Sequence, residues 1–121
     1  MPNYLENQDG LRKLGVDEVM VWCVNDGAVM QAWAKNQKIG LSMVRFYGDP
    51  SGDLTRALDM EMTHPGPLSV GIIGRCKRHA IHAVDGIIKV VNVSEGEDDP
   101  AGDKDPSATL ADAMIEAIKL E

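Results

Sequence analysis

Aromatic side chains make up only 4% of these 121 residues. The core therefore cannot rest on stacked rings, and the seven Met must do part of the packing. Long apolar runs are also missing, which excludes a membrane-spanning helix. The start, Met1-Pro2-Asn3-Tyr4, has neither the basic region nor the apolar stretch of a signal peptide, although a targeting segment already removed would leave no trace. Cysteine is nearly absent. Cys23 and Cys76 lie far apart and match no metal or redox spacing, which argues against a disulfide framework and for a reducing compartment. No basic stripe is present to neutralise phosphates, so a nucleic-acid surface is not expected.

What the sequence does contain is a normal complement of apolar residues, 44%, enough to exclude general disorder. The length leaves room for one domain and one core, spanning residues 1–121. The net charge of −7 is unevenly spread. Residues 94–107, "SEGEDDPAGDKDPS", hold six acids and one Lys, a net of −5, and the rest sums to −2. The acidity belongs to one loop within the domain, read most simply as a solvated insertion.

Periodicity divides the chain into elements. Tyr4, Leu11 and Leu14 recur at helical spacing over residues 3–14, and Gly15 suits the left-handed position that ends a helix. Val19-Met20-Val21-Trp22-Cys23-Val24 is apolar on both alternating faces, the pattern of a strand buried on two sides. Asp26 stands where an N-cap belongs. Beyond it Val29, Met30, Trp33 and Ala34 form one apolar helical stripe. Residues 43–47 read as a short strand, 48–52 as a turn, and the region of Leu54, Ala57 and Leu58 as a short helix. Residues 62–71, with two Pro and two Gly, are expected to be irregular. Two β-rich runs, 77–84 and 87–93, flank Asp85-Gly86, the signature of a type I′ hairpin. Asp105-Pro106 places a cap before a first-turn Pro. Leu110, Met114, Ala117 and Ile118 give the stripe of a final helix. Strand-helix-strand followed by a hairpin and a helix suggests an α/β, thioredoxin-like three-layer α/β/α fold with a mixed sheet.

Four stretches carry a resemblance: "GVDEVMVWCVNDGAVMQAWAKNQ", "FYGDPSGDLTRALDM", "GRCKRHAIHAVDGIIKVVNV" and the leading "MPNYLEN". Together they resemble peroxiredoxins of the type-five, redoxin branch. Val24-Asn25-Asp26 after a core strand, the Gly48–Gly52 turn, Lys77-Arg78 at the start of the hairpin and Asp85-Gly86 at its tip occur in the family's order. The resemblance covers nearly all of the chain. The family's Pro-x-x-x-Thr-x-x-Cys motif, which carries the peroxidatic cysteine, and the strand before it have no counterpart here. The chain looks like the last two-thirds of a peroxiredoxin, lacking the central first core strand. Strands 19–24 and 79–84 would then present unpaired amides and carbonyls, which invite pairing with another chain.

The resemblance implies that Arg78 stabilises a peroxidatic thiolate and the transition state. Cys76, two residues before it, would share its face if the backbone is extended, and is a possible minor thiol. Cys23 fits as a small hydrophobe in a strand. His79 and His82, three apart in a strand, face opposite sides, so they and His64 read as structural histidines with no metal. Trp33 and the Met residues read as core, with no cofactor box. The segment before the last helix has no resolving cysteine.

Two functions remain open. One is a thiol-dependent peroxidase that reduces hydrogen peroxide or alkyl hydroperoxides by a one-Cys route. A thiol such as glutaredoxin, glutathione or thioredoxin would serve as reductant, and the 121 residues would be inactive as they stand. The other is a redoxin-derived accessory subunit held in a larger complex through its open sheet and its acidic loop. The expected location is a reducing intracellular compartment: cytosol, plastid or mitochondrion.

Overall fold

The computed structural model describes residues 2–120; Met1, where the leading stretch of the resemblance begins, and Glu121 lie outside the described residues. The chain packs as two compact units, the first ending at Cys76 and the second beginning at Lys77.

The first unit opens with two short helices, α1 (Pro2–Glu6) and α2 (Gln8–Lys13), where one helix over residues 3–14 is expected. The break falls at Asn7, whose side chain donates back to the Asn3 carbonyl at 2.7 Å and so competes with the helical ladder. Gly15 follows with φ +86°, the left-handed conformation expected of it. Strand β1 (Val19–Cys23) runs parallel to β2 (Val44–Gly48), with Val19 opposite Val44 and Cys23 opposite Gly48. Between them lies α3 (Gly27–Gln37). Asp26 is its N-cap, and its carboxylate accepts the Val29 amide at 2.9 Å. The Trp33 and Phe46 rings lie 4.4 Å apart, tilted by 46°, which fixes α3 against β2. Gln8 Oε1 accepts the Met43 amide at 3.0 Å and ties α2 to the start of β2.

The core of this unit is aliphatic and methionine-rich: Leu11, Met30, Ile39, Met43, Val44, Met60 and Met62 are all buried. The strand expected to be buried on both faces is not. No residue of β1 is fully buried, and Met20 is 55% exposed. The apolar run shows what β1 can bury, while a two-stranded sheet leaves part of that surface uncovered among the described residues. After β2 come α4 (Asp53–Ala57) and α5 (Pro65–Ser69). The second corrects the expectation of an irregular segment over 62–71. Pro65 occupies the first helical turn, where its missing N–H costs nothing. His64 Nδ1 accepts the Gly66 amide at 3.0 Å, acting as the cap.

The second unit is a hairpin and a helix. β3 (His79–Val84) and β4 (Ile87–Val93) are antiparallel. Asp85 at φ 51° and Gly86 at φ 80° have the two positive dihedrals a type I′ turn requires. A register shift falls between His82 and Ala83. Helix α6 (Ala111–Lys119) buries Ala111 and Met114. Asp105-Pro106 does not open α6: a 3-10 turn over Ser107–Thr109 intervenes, with Pro106 and not Asp105 at its N-cap. The Asp105 carboxylate accepts the Ser107 amide at 3.2 Å and hydroxyl at 2.6 Å, and α6 starts only after this turn. Ser94 and Thr109 are both buried and satisfy each other, Ser94 Oγ donating to Thr109 Oγ1 at 3.1 Å.

Among the described residues the strands form two separate two-stranded sheets, β1 with β2 and β3 with β4. No helix among them is long and apolar enough to cross a membrane.

Candidate functional site

Arg78 lies at a bend just before β3, and its carbonyl accepts the Ser94 amide at 2.9 Å, closing the open end of the hairpin. Its side chain is turned to the acidic loop. Nε donates to the Ala101 carbonyl at 3.0 Å, and Nη2 donates to Asp103 Oδ1 at 2.6 Å. Neighbouring Lys77 places Nζ 3.6 Å from Glu95 Oε1. The loop is folded as well as acidic. Asp99 Oδ2 accepts the Lys104 amide at 3.1 Å and the Asp105 amide at 3.4 Å. Gly96 and Asp99 exchange backbone hydrogen bonds at 2.9 and 3.1 Å. Gly102, at φ +71°, is buried where a Cβ would run into the Ser94 carbonyl. Part of the segment read as a solvated insertion is therefore the clamp that fixes the Arg78 guanidinium. Glu95, Gly96, Asp99, Lys104 and Asp105 of the loop also line an open recess of about 410 Å³.

In the first unit, the C-terminal end of β1 collects several polar groups. The Cys23 carbonyl accepts the Asp49 amide at 2.9 Å. The Asp49 carboxylate turns inward. Its Oδ2 accepts the Thr55 amide at 2.9 Å and the Thr55 hydroxyl at 2.8 Å, and Oδ1 accepts the Leu54 amide at 3.3 Å. Thr55, fully buried, accepts in turn from Trp22 Nε1 at 3.3 Å. Burial opposes the Asp49 charge, but the Thr55 and Leu54 donors and the Arg56 charge outweigh it and hold the carboxyl below its ordinary range. Gly48 allows the corner to close: a Cβ there would stand 2.7 Å from the Asn25 carbonyl oxygen.

Cys76 closes the first unit. It forms an isolated antiparallel bridge with Glu61, steadied by the Met62 amide donating to the Arg75 carbonyl at 2.7 Å. Both thiols are half-buried, and burial pushes both up. Arg75 opposes that rise at each, and the Cys76 charge adds to it at Cys23. These thiols are protonated at neutral pH and are poor nucleophiles.

The sequence paired Cys76 with Arg78 by strand alternation. Regular strand begins only at His79, so that alternation does not apply. Cys76 instead faces Glu61 across its isolated bridge. Nothing in the sequence singles out this bridge, because Glu61 and Cys76 lie 15 residues apart. The Asp103–Arg78 pair was equally hidden among six acids. The Asp49–Thr55 interaction had a visible signal, an Asp in a Gly-Asp-Pro-Ser-Gly turn just before a helix. His79 and His82 pair with Val93 and Val90 of β4, and the His79 Nδ1 hydrogen-bonds the Lys77 carbonyl at 2.7 Å.

Comparison with known proteins places this geometry. The redoxin family model matches residues 1–112. The chloroplastic peroxiredoxin-2E-2 of Oryza sativa subsp. japonica is 37% identical over 97 residues, which are 79% of this chain and 42% of that protein. The chloroplastic peroxiredoxin-2E of Arabidopsis thaliana is 35% identical over 97 residues, 79% of this chain and 40% of that protein. The chain thus spans less than half the length of these two relatives. Reduced Prx3 from Vibrio vulnificus superposes with a TM-score of 0.79 at 27% identity, over 98% of this chain and 68% of that one. With the match running from its first helix into its last, the chain belongs to the redoxin family and has the thioredoxin-like fold of peroxiredoxins.

Proposed function

We propose that this redoxin chain contributes the arginine-bearing hairpin and the β1–α3–β2 scaffold of a thiol-dependent peroxidase. By itself it does not turn over peroxide. One observation carries the second half of the proposal: both of its thiols are pushed up by burial, the reverse of what a peroxidatic cysteine needs. The peroxidatic thiolate comes from a Pro-x-x-x-Thr-x-x-Cys segment outside these 121 residues. It attacks one oxygen of the peroxide, the O–O bond breaks, and water or an alcohol leaves. The resulting sulfenic acid is returned to thiol by a reductant such as glutathione, glutaredoxin or thioredoxin. The role of Arg78 is to hold the thiolate and the developing negative charge on oxygen. Its guanidinium has donors beyond the two used by Ala101 and Asp103.

Open strands support a covering partner, in the form of the same missing segment or another chain. β1 leaves Met20 55% exposed, and at the tip of the hairpin Ile87 is 60% exposed. Among the described residues each sheet has only two strands, and an uncovered strand edge is a template for strand addition.

Peroxide consumption by the 121-residue chain, supplied in turn with each reductant, tests the reading. The expected rate equals that of the Cys23→Ser, Cys76→Ser double variant. Fusing a strand and the cysteine motif to the N-terminus should confer turnover, and Arg78→Ala should then remove most of it. Turnover by the unfused chain that vanishes on Cys76→Ser would overturn the proposal.

A further inference from the structure

Three cations, Lys77, Arg78 and Lys104, each face an acceptor of the acidic loop. Arg78 Nη2 donates to Asp103 Oδ1 at 2.6 Å, Lys77 Nζ stands 3.6 Å from Glu95 Oε1, and Lys104 Nζ donates to the Asp98 carbonyl at 3.4 Å. We infer that the Asp103 carboxylate makes the Arg78 site selective for neutral hydroperoxides over hydroperoxides that carry a carboxylate. The inference rests on the peroxidase reading and deepens it, naming the charge class of substrate that the guanidinium accepts.

Charge carries the argument. Arg78 brings one positive charge to the site, and Asp103, at hydrogen-bond distance, cancels it. A hydroperoxide whose tail ends in a carboxylate loses to Asp103 what it gains from the guanidinium. The rest of the loop adds to that loss, since residues 94–107 sum to −5. Lys77 offers no second anchor, being matched by Glu95. A neutral hydroperoxide is indifferent to this balance. It needs only hydrogen-bond donors, and the guanidinium keeps N–H groups beyond those given to Ala101 and Asp103. A charge that opposes one ligand and leaves its neutral analogue untouched gives specificity without any new contact.

The backbone on both sides of Asp103 is held, so the carboxylate does not simply step aside. Gly102 before it is buried where a Cβ would run into the Ser94 carbonyl. Lys104 after it gives its amide to Asp99 Oδ2 at 3.1 Å, and Asp99 is itself bridged to Gly96. The peroxidatic thiolate is an anion too and meets the same opposition. It belongs to the folded enzyme, however, and pays no cost of association, which a free anion must pay. For the thiolate the penalty is a slightly less favoured charge; for a carboxylated substrate it is lost binding. Both members of the Arg78–Asp103 pair are exposed, so the discrimination has the size of a surface charge effect and weakens with salt.

The test begins with the chain as it stands. The Arg78 Nε–H is followed by NMR while sodium acetate replaces sodium chloride at fixed ionic strength, in the parent chain, Asp103→Asn and Asp103→Glu. Acetate affinity should rise roughly fivefold in Asp103→Asn, the order expected for removing one unit charge a few ångströms away in water. Asp103→Glu should keep the weak binding of the parent, and a higher ionic strength should shrink the difference. The neutral probe, tert-butyl hydroperoxide, should move the signal equally in the parent and Asp103→Asn. In the protein fused to the cysteine motif, a short hydroperoxy acid should show a higher KM than its methyl ester, and Asp103→Asn should lower the KM of the acid alone. The acetate titration needs no cysteine and no turnover. A failure of the peroxidase reading, seen as a silent fusion, and a failure of this inference are therefore read in different experiments. Equal acetate affinity in the parent and Asp103→Asn would overturn the inference. So would an equal gain for tert-butyl hydroperoxide, which would trace the change to a loosened loop, or equal use of acid and ester.

Discussion

Asp103 Oδ1 stands 2.6 Å from Arg78 Nη2, so an acid of the loop holds the cation that opens the hairpin. The side chains are 40% and 66% exposed. At such exposure an ion pair contributes only about 0–1 kcal/mol, screened further by salt. Its importance lies in aim more than in stability: with the Ala101 carbonyl it fixes where the remaining guanidinium donors point. Asp103→Asn should therefore lower stability by less than about 1 kcal/mol in urea titrations. It should also speed the exchange of the Arg78 Nε–H with water, as seen by NMR. A large stability loss with unchanged exchange would mean that the loop, not the guanidinium, depends on Asp103.

Thr55 offers the opposite case, a buried polar group at the centre of a network. It is fully buried, donates to Asp49 Oδ2 at 2.8 Å and accepts from Trp22 Nε1 at 3.3 Å. Thr55→Val keeps the shape but removes both hydroxyl interactions. The expected cost is about 1–3 kcal/mol, read as a shift of the urea midpoint at constant slope. Thr55→Ser should recover most of it.

Acid should weaken the protein in two separable steps. Burial pushes His79 below its ordinary 6.5, partly offset by its hydrogen bond to the Lys77 carbonyl. The unfolded chain therefore takes up this proton more readily than the folded one. The contribution to stability is complete above about 6.5 and is lost as pH falls through the lower folded value. Asp49 is also held below its ordinary 3.8, with the Thr55 and Leu54 donors outweighing burial. Its contribution is complete above that value and disappears only as pH falls through the folded one. Urea midpoints measured from neutral pH downwards should decline first in the histidine window and again in the carboxylate window. His79→Gln should abolish the first decline alone.

How far the sequence spoke for the fold depended on whether the deciding interaction was local. Asp26 capping α3 and Asp85-Gly86 turning the hairpin are each written within a stretch of four residues, and both are as read. The Val19–Val24 run was read as buried on two sides, yet periodicity reports only which residues could be buried. Whether something covers them depends on neighbours, and β1 has one strand beside it among the described residues. Pro65 was read as a breaker, when a proline in the first turn starts a helix as readily as it ends one. Arg78 was singled out only through the resemblance that the Lys77-Arg78 and Asp85-Gly86 pattern carries. Its partners Ala101 and Asp103 were not, because they lie 23 and 25 residues away in a loop where six acids look alike.

Gly102 joins these threads into a last prediction. It stands between Ala101 and Asp103, the two acceptors of the Arg78 side chain. Its φ of +71° is a left-handed backbone, and a Cβ would run into the Ser94 carbonyl. The Ser94 amide in turn donates to the Arg78 carbonyl at 2.9 Å. Gly102→Ala should thus cost the left-handed penalty, about 1–2 kcal/mol, and a further amount for moving Ser94 or the loop. The loss should exceed that of Asp103→Asn, because it displaces both acceptors where the other change weakens one. Urea titration of the two variants orders them, and faster exchange of the Arg78 Nε–H in Gly102→Ala should report release of the clamp. Equal stability of the two variants would show that the loop can relax away from Ser94 without strain, and that the glycine is not what holds Arg78 in place.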